Sequence, residues 1–271
     1  LGPLCGLVNN ASLFIHDDID TIDSEGWDAH MDVNAKSPVL LISGASQGIG
    51  AAIAREFSRQ KPAMRLALVA RNADKLEQVA AQCSGSARVE IYPCDVSDAA
   101  AVQRLGQQLQ RDMGAVDVLI NNAGSWHGEP VADMAVEDFD RIIASNLRSV
   151  FLMCRQFLPA MMERESGDIF NMASTAGLEG YAGVSAYCAA KHGVLGFAKA
   201  LREEVRGKNI RVCSVSPGPT WSPSWENSGI AEQALMPAED VARAFWHLYA
   251  MDRNVVTEDI VLRPQQGHIS S

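Results

Sequence analysis

From Ser37 onward the apolar positions switch repeatedly between two periods. Short runs such as Val39-Leu40-Leu41-Ile42 and Leu66-Ala67-Leu68-Val69 are apolar at every position, the pattern of a strand buried on both faces. Between them lie stretches with apolar residues on one helical face, Ile49, Ala52, Ile53 and Phe57 in the first. The runs predict strands at Val39–Ser43, Arg65–Ala70, Val89–Tyr92, Val116–Ile120, Asp168–Ala173, Ile210–Ser216 and Asp259–Leu262. The amphipathic stretches predict helices at about 48–60, 73–83, 98–113, 136–163, 185–206 and 238–250. Apolar strands alternating with helices define an α/β chain with a parallel sheet covered on both faces. Ligands of such sheets bind beyond the carboxyl ends of the strands.

The length, 271 residues, suits one α/β domain with a full core or two small ones. A formal net charge of −10 argues against a nucleic-acid surface or an anionic membrane as partner. No apolar run approaches a membrane span and no signal peptide is visible. The six cysteines are scattered without a C-x-x-C pair. They read as reduced thiols of a cytoplasmic protein rather than a disulfide framework or a zinc site.

Residues 1–36 stand apart. Asn9-Asn10-Ala11-Ser12 matches Asn121-Asn122-Ala123-Gly124, and at the same offset Trp27-Asp28 matches Phe139-Asp140 and Asn34 matches Asn146. The segment begins at Leu1 rather than Met and holds neither a phosphate loop nor a Tyr/Lys pair. It reads as a piece of a second, related domain, a fragment or fusion remnant outside the chemistry of the domain over 37–271.

The first strand stops at Ser43, and glycines follow at Gly44, Gly48 and Gly50 before the first helix. Strand, tight turn and helix make a place for a diphosphate, because the helix N-terminus offers unpaired N–H groups and a positive dipole end. Gly44 permits the turn, Gly48 lets backbone approach phosphate, and Gly50 lets the helix pack close to the strand. A glycine turn that binds nothing has the same letters. The second strand ends at Ala70, where an NAD enzyme carries an acid for the ribose 2′-hydroxyl, and Arg71 follows. A neutral residue with an adjacent guanidinium suits a 2′-phosphate, so the cofactor expected is NADP(H) ahead of NAD(H). Asp95, after the third strand, either meets an adenine amino group or caps a helix starting near Ser97. Asn121-Asn122-Ala123-Gly124 follows the fourth strand, either as a surface on which a ligand lies or as a plain turn. Asn146 is a poor helix former inside a helical stretch.

Ser174 follows the fifth strand, and Tyr187 and Lys191 lie one turn apart on a helical stretch. An ammonium beside a phenol favours the phenolate and lowers its pKa, so Tyr187 would exchange a proton with a carbonyl or alcohol. Ser174 would hold the same oxygen. The sixth strand runs into Pro217-Gly218-Pro219-Thr220 and a loop with Trp221 and Trp225, either a lid or an ordinary surface loop.

In this order and spacing SGASQGIG, CDV, NNAG, Asn146, Ser174, YCAAK and PGPT resemble the single-domain short-chain dehydrogenase/reductase family, over Ser37 to about Ile269. The resemblance implies a Rossmann-type, doubly wound parallel sheet of seven strands. It also implies a nicotinamide dinucleotide and hydride transfer between a carbonyl and an alcohol. By the same resemblance Tyr187 is the general acid/base, and Lys191 binds the nicotinamide ribose and tunes Tyr187. Ser174 orients the substrate oxygen and Asn146 supports a relay water. Gly44, Ser46, Gln47, Gly48, Ile49 and Gly50 line the diphosphate, and Asp95 and Val96 border the adenine. Asn122 borders the ribose, with Ala123 and Gly124 beside it, and Thr220 meets the carboxamide, with Pro217 and Gly218 beside it. Gln47 departs from the family, standing where NADP members often carry Arg, which leaves Arg71 as the main support for NADP. The ending EDIVLRPQ is loosely similar to members related to sepiapterin reductase and hydroxy-acid dehydrogenases.

Two readings of different class follow: a carbonyl reductase/alcohol dehydrogenase, or a non-catalytic cofactor-binding sensor or scaffold. The full Asn146, Ser174, Tyr187 and Lys191 set favours the enzyme. Trp126, Leu178, Tyr181, Trp221 and Trp225 suggest a pocket for a medium-sized, partly apolar carbonyl or alcohol. The apolar surplus of the stretch at 136–163 suggests a homodimer or homotetramer.

Overall fold

The structure, a computed structural model, describes residues 37–267 except 84, 87 and 226–228, so the segment 1–36 lies outside the described residues. Seven strands form one parallel sheet: β1 (Val39–Ser43), β2 (Arg65–Ala70), β3 (Arg88–Pro93), β4 (Val118–Asn121), β5 (Gly167–Met172), β6 (Ile210–Pro217) and β7 (Asp259–Leu262). Their order across the sheet is β3-β2-β1-β4-β5-β6-β7. The order reverses between β1 and β4, which pair directly, Leu40 with Val118 and Ile42 with Ile120. The loops leaving β1 and β4 therefore diverge and open a crevice at that point.

The helices are α1 (Gly48–Gln60), α2 (Ala73–Ala81), α3 (Ala99–Asp112), α4 (Val136–Ile143), α5 (Ser149–Arg164), α6 (Ser185–Glu204) and α7 (Ala238–Ala250). Alternation along β1 sorts them into two layers. Val39 and Leu41 face a core built with α3, α5 and α6, through residues such as Leu105, Phe157 and Ala198. Leu40 and Ile42 face the other core, with α1, α2 and α7, through Phe57, Leu76 and Phe245. All five β1 residues are buried, as the unbroken apolar run requires.

One predicted element differs. The helix expected over 136–163 is α4 and α5 joined by a π-helical turn, Ala144–Arg148. The Ser149 N–H reaches back five residues to the Ala144 carbonyl, and the Ser149 hydroxyl donates to the Ser145 carbonyl at 2.7 Å. A turn closed in this way holds one extra residue, and such bulges concentrate at functional positions.

At the amino ends of β5 and β6 the buried Asp168 accepts from Arg211 Nε at 2.6 Å and from Arg253 Nη1 at 2.7 Å. Arg211, also buried, gives its other nitrogens to the Tyr249 and Met251 carbonyls. This network lies at the opposite end of the sheet from the crevice. Among the described residues no helix is long and apolar enough to cross a membrane.

Candidate active site

The turn from β1 to α1 is held by a glycine in the left-handed region at each end, Gly44 (φ 66°) and Gly48 (φ 55°). Close packing also demands glycine. A Cβ on Gly50 would stand 2.2 Å from the Gly44 carbonyl oxygen, and one on Gly44 would stand 2.8 Å from Ala123 Cα. The α1 cap residue, Gln47, makes no side-chain cap, so the side chain at this position leaves the first-turn N–H groups available to an anion. Ser46 and Ile49 are half-buried along the same turn.

The turn is tied to β4 by polar contacts. Ser43 Oγ accepts from the Asn122 and Ala123 N–H groups at 3.0 and 3.1 Å. Asn122 Nδ2 donates to the Ser43 and Gly44 carbonyls. Asn122 thus spans the crevice at the switch point, and Ala123 and Gly124 follow on its floor.

Arg71 is exposed just past the end of β2, and its charge helps hold the Asp95 carboxyl below the usual range, behind the larger effect of the Ser97 hydroxyl. Asp95 Oδ1 accepts from Ser97 N at 2.9 Å and from Ser97 Oγ at 2.7 Å. It closes a turn but does not cap α3. That cap is Asp98, whose Oδ1 accepts from Ala101 N. Val96 is buried behind Asp95. A second cation, which sequence reasoning missed, stands at this corner: Lys75 Nζ donates to Gln47 Oε1 at 2.9 Å. Its sequence signal is its place one turn after Arg71 on a helix capped by Asn72, whose Oδ1 accepts from Lys75 N.

The four candidate catalytic residues come from three elements. Ser174 directly follows β5 and caps the 3-10 turn Thr175–Gly177, its Oγ accepting from Ala176 N. The Ser174 side chain lies near enough to the Tyr187 hydroxyl to favour its ionised form. Lys191, one turn along α6, is buried with its Nζ 5.5 Å from the Tyr187 ring centroid. It donates to the Met172 carbonyl at 2.8 Å. Asn146 lies in the π turn, its Nδ2 donating to the Ser125 carbonyl at 2.7 Å and the Ile142 carbonyl at 3.0 Å. Its Oδ1 is buried without a hydrogen-bond partner among the described residues. Gly124 closes the group, because a Cβ there would stand 2.4 Å from that Oδ1 and 3.8 Å from Lys191 Nζ. An orphaned buried acceptor beside an ammonium is a place for a bound water or hydroxyl.

The electrostatics correct one expectation. Lys191 does not depress Tyr187 in the free protein. Burial pushes the Tyr187 hydroxyl up to about 12, opposed by the Ser174 contact, and burial pulls Lys191 down to about 8. Each group sits where packing disfavours its charged form. The Lys191 ammonium is directed at a backbone carbonyl and not at the phenol oxygen.

Gly218 and Thr220 belong to the strand-end loop after Pro217. The Gly218 N–H donates to the Leu262 carbonyl, and the buried Thr220 gives its hydroxyl to the Gly218 carbonyl at 2.9 Å. Among the expected pocket residues Trp126 and Leu178 are exposed, and Tyr181, Trp221 and Trp225 are half-buried.

A switch-point crevice with a glycine turn on one side and a Ser/Tyr/Lys group on the other defines a dinucleotide-type α/β oxidoreductase. The short chain dehydrogenase family model matches residues 38–233, and the chain belongs to that family. It is 37% identical to sepiapterin reductase of Chlorobaculum tepidum over 85% of this chain and 98% of that one. It is 36% identical to an NADP-dependent 3-hydroxy acid dehydrogenase of Schizosaccharomyces pombe over 66% of this chain and 70% of that one. Among solved structures, a metagenomic short-chain oxidoreductase in complex with NADP aligns with a TM-score of 0.73 at 32% identity, covering 85% of this chain and 99% of that one. An actinorhodin polyketide ketoreductase with NADPH aligns with a TM-score of 0.79 at 28% identity, covering 87% and 99%. The expected family, seven-stranded fold and oxidoreductase class therefore stand.

Proposed function

We propose that this chain is an NADP(H)-dependent reductase/dehydrogenase acting between a carbonyl and a secondary alcohol. The observation that carries the reading is Tyr187 and Lys191 one turn apart on α6, the ammonium 5.5 Å from the phenol ring, with Ser174 beside the phenol just past the end of β5. The residues fit a dinucleotide: Gly44 and Gly50 let the turn pack tightly against β4 and α1, and the uncapped α1 N-terminus suits its diphosphate. Gly44, Ser46, Gln47, Gly48 and Ile49 would hold the diphosphate. Asp95, Val96 and Asn122 would border the adenosine, and Lys191, Gly218 and Thr220 the nicotinamide side. When bound, the nicotinamide supplies or accepts the hydride.

This chain's own residues handle the proton. Ser174 holds the substrate oxygen and Tyr187 gives a proton to it as a carbonyl is reduced, or takes one from an alcohol. With the phenol held neutral near neutral pH, Tyr187 starts as the acid, the form that reduction requires. Lys191 and the free Asn146 oxygen are placed to carry the replacing proton from solvent through a water. The exposed Trp126 and Leu178 suit an apolar portion of the substrate.

NADP(H)-bound solved relatives and the NADP-dependent hydroxy-acid dehydrogenase support the phosphate-bearing cofactor. The local support is two cations at the ribose corner, Arg71 and Lys75, the latter oriented by Gln47. A panel of ketones and aldehydes tests the reading: turnover is expected with NADPH, at least tenfold above NADH in kcat/KM. Arg71→Ala and Lys75→Ala should each raise KM for NADPH, the former by about tenfold or more as expected for a charge-assisted contact, and leave NADH unchanged. Cofactor binding without turnover on any substrate would favour the sensor reading.

The oligomer is part of the same proposal. Phe139 and Phe151 are exposed along α4 and α5, in the stretch whose apolar surplus suggests pairing. Light scattering at micromolar concentration should report a dimer or tetramer, and a monomer would refute it.

A further inference from the structure

Beyond the crevice, the loop from β4 to α4 gathers three groups with no role in the proposed reaction. His127 Nε2 lies 3.4 Å from Glu129 Oε2 and 3.9 Å from Asp138 Oδ2. The three donor atoms all fall within 4.8 Å of one another. Their side chains are about one-third exposed (34–35%), so the cluster is sheltered but open on one side.

The geometry has local causes. His127 and Glu129 flank Gly128 in the loop. Gly128 between them is pinned, since a Cβ there would stand 2.9 Å from Trp126 and 3.2 Å from Val184. Asp138, in the first turn of α4, is oriented by Arg141, which takes its other oxygen at 2.5 Å. One carboxylate oxygen thus goes to the guanidinium and the second is turned to the imidazole. The carboxylate gains a fixed orientation of the kind that outer contacts give to metal ligands.

We propose that His127, Glu129 and Asp138 form a site for a divalent transition metal of the zinc class. Donors about 2.0–2.1 Å from a tetrahedral zinc lie roughly 3.4 Å apart. The imidazole–Glu129 separation already matches, and the Asp138 oxygen needs to close on the imidazole by about half an ångström. Imidazole plus two carboxylates suits zinc, cobalt or nickel over magnesium or calcium. Water fills the remaining position. The ion would tie the loop to α4. That loop presents Gly124, and its Ser125 carbonyl holds Asn146, so the site is a brace for the active-site floor.

The experiment is titration of chelator-stripped protein with Co²⁺ and Zn²⁺. One equivalent of Co²⁺ should bind with d–d absorption and no thiolate charge-transfer band, which separates this site from the cysteines. Zn²⁺ should displace it, and millimolar Mg²⁺ should not. His127→Ala should abolish that equivalent. Glu129→Gln and Asp138→Asn should each weaken it at least tenfold. Zinc should raise the melting temperature of the parent and not of His127→Ala. Unchanged stoichiometry in His127→Ala, a charge-transfer band, or no binding at 100 µM metal would each overturn the proposal. None of these readouts depends on turnover.

Discussion

Tyr187→Phe should lower kcat by about 10²–10⁴-fold, the range of a positioned general acid, and leave the dissociation constant for NADPH within about twofold. The substitution removes one oxygen. That oxygen lies near Ser174, which points the loss at the substrate side of the crevice, while the ring keeps its packing and Lys191 keeps its bond to the Met172 carbonyl. A tenfold loss is 1.36 kcal/mol of transition-state stabilisation, so the expected range is about 3–5 kcal/mol. Single-turnover kinetics with saturating NADPH read the chemical step directly. Parent-like rates would remove Tyr187 from the mechanism. A parallel loss of cofactor affinity would instead make it a structural residue of the crevice.

The largest effect on stability should come from the far end of the sheet. Asp168→Asn keeps the shape of the side chain but leaves Arg211 buried without its carboxylate. Breaking a buried pair from one side costs about 3–5 kcal/mol, because the orphaned charge stays in the interior. A domain of this size should then melt roughly 6–20 °C lower. Arg253→Ala should cost much less, since that side chain is 39% exposed and solvent screens it. Urea unfolding followed by circular dichroism measures both. An Asp168→Asn unfolding free energy within about 1 kcal/mol of the parent would show that water reaches this pair.

These two residues also show what a sequence makes legible. The strands were readable because the central parallel strands β1 and β2 are nearly continuous apolar runs, and the bounds of β1, β2 and β7 agree with the expected ones. The glycine turn and the Ser174, Tyr187, Lys191 set were readable because their spacing is local or family-wide. Asp168 was not: its partners lie 43 and 85 residues away, and nothing in an acidic residue at a strand start announces two distant arginines. Asp95 was misread as a possible helix cap because Asp98, three residues on, offers the same oxygen. Lys75 was passed over because a lysine on an exposed helix face is ordinary until Gln47 is seen beside it. The lowered phenol pKa expected from the Tyr/Lys spacing is outweighed by burial, which raises it, and the ammonium donates to a backbone carbonyl. The segment 1–36, with its partial copy of the later sequence, lies outside the described residues.

The π turn at Ala144–Arg148 separates folding from turnover in this chain. A helix that absorbs one surplus residue in a bulge keeps the flanking helices in phase, so Ile142 and Val150 both still face inward. Loss of a single residue from the bulge would restore a regular helix and leave the two cores as they are. It would also withdraw Asn146 from Ser125 and from Gly124. Deleting one residue of the bulge should therefore leave a folded domain that binds NADPH as before and turns over more slowly.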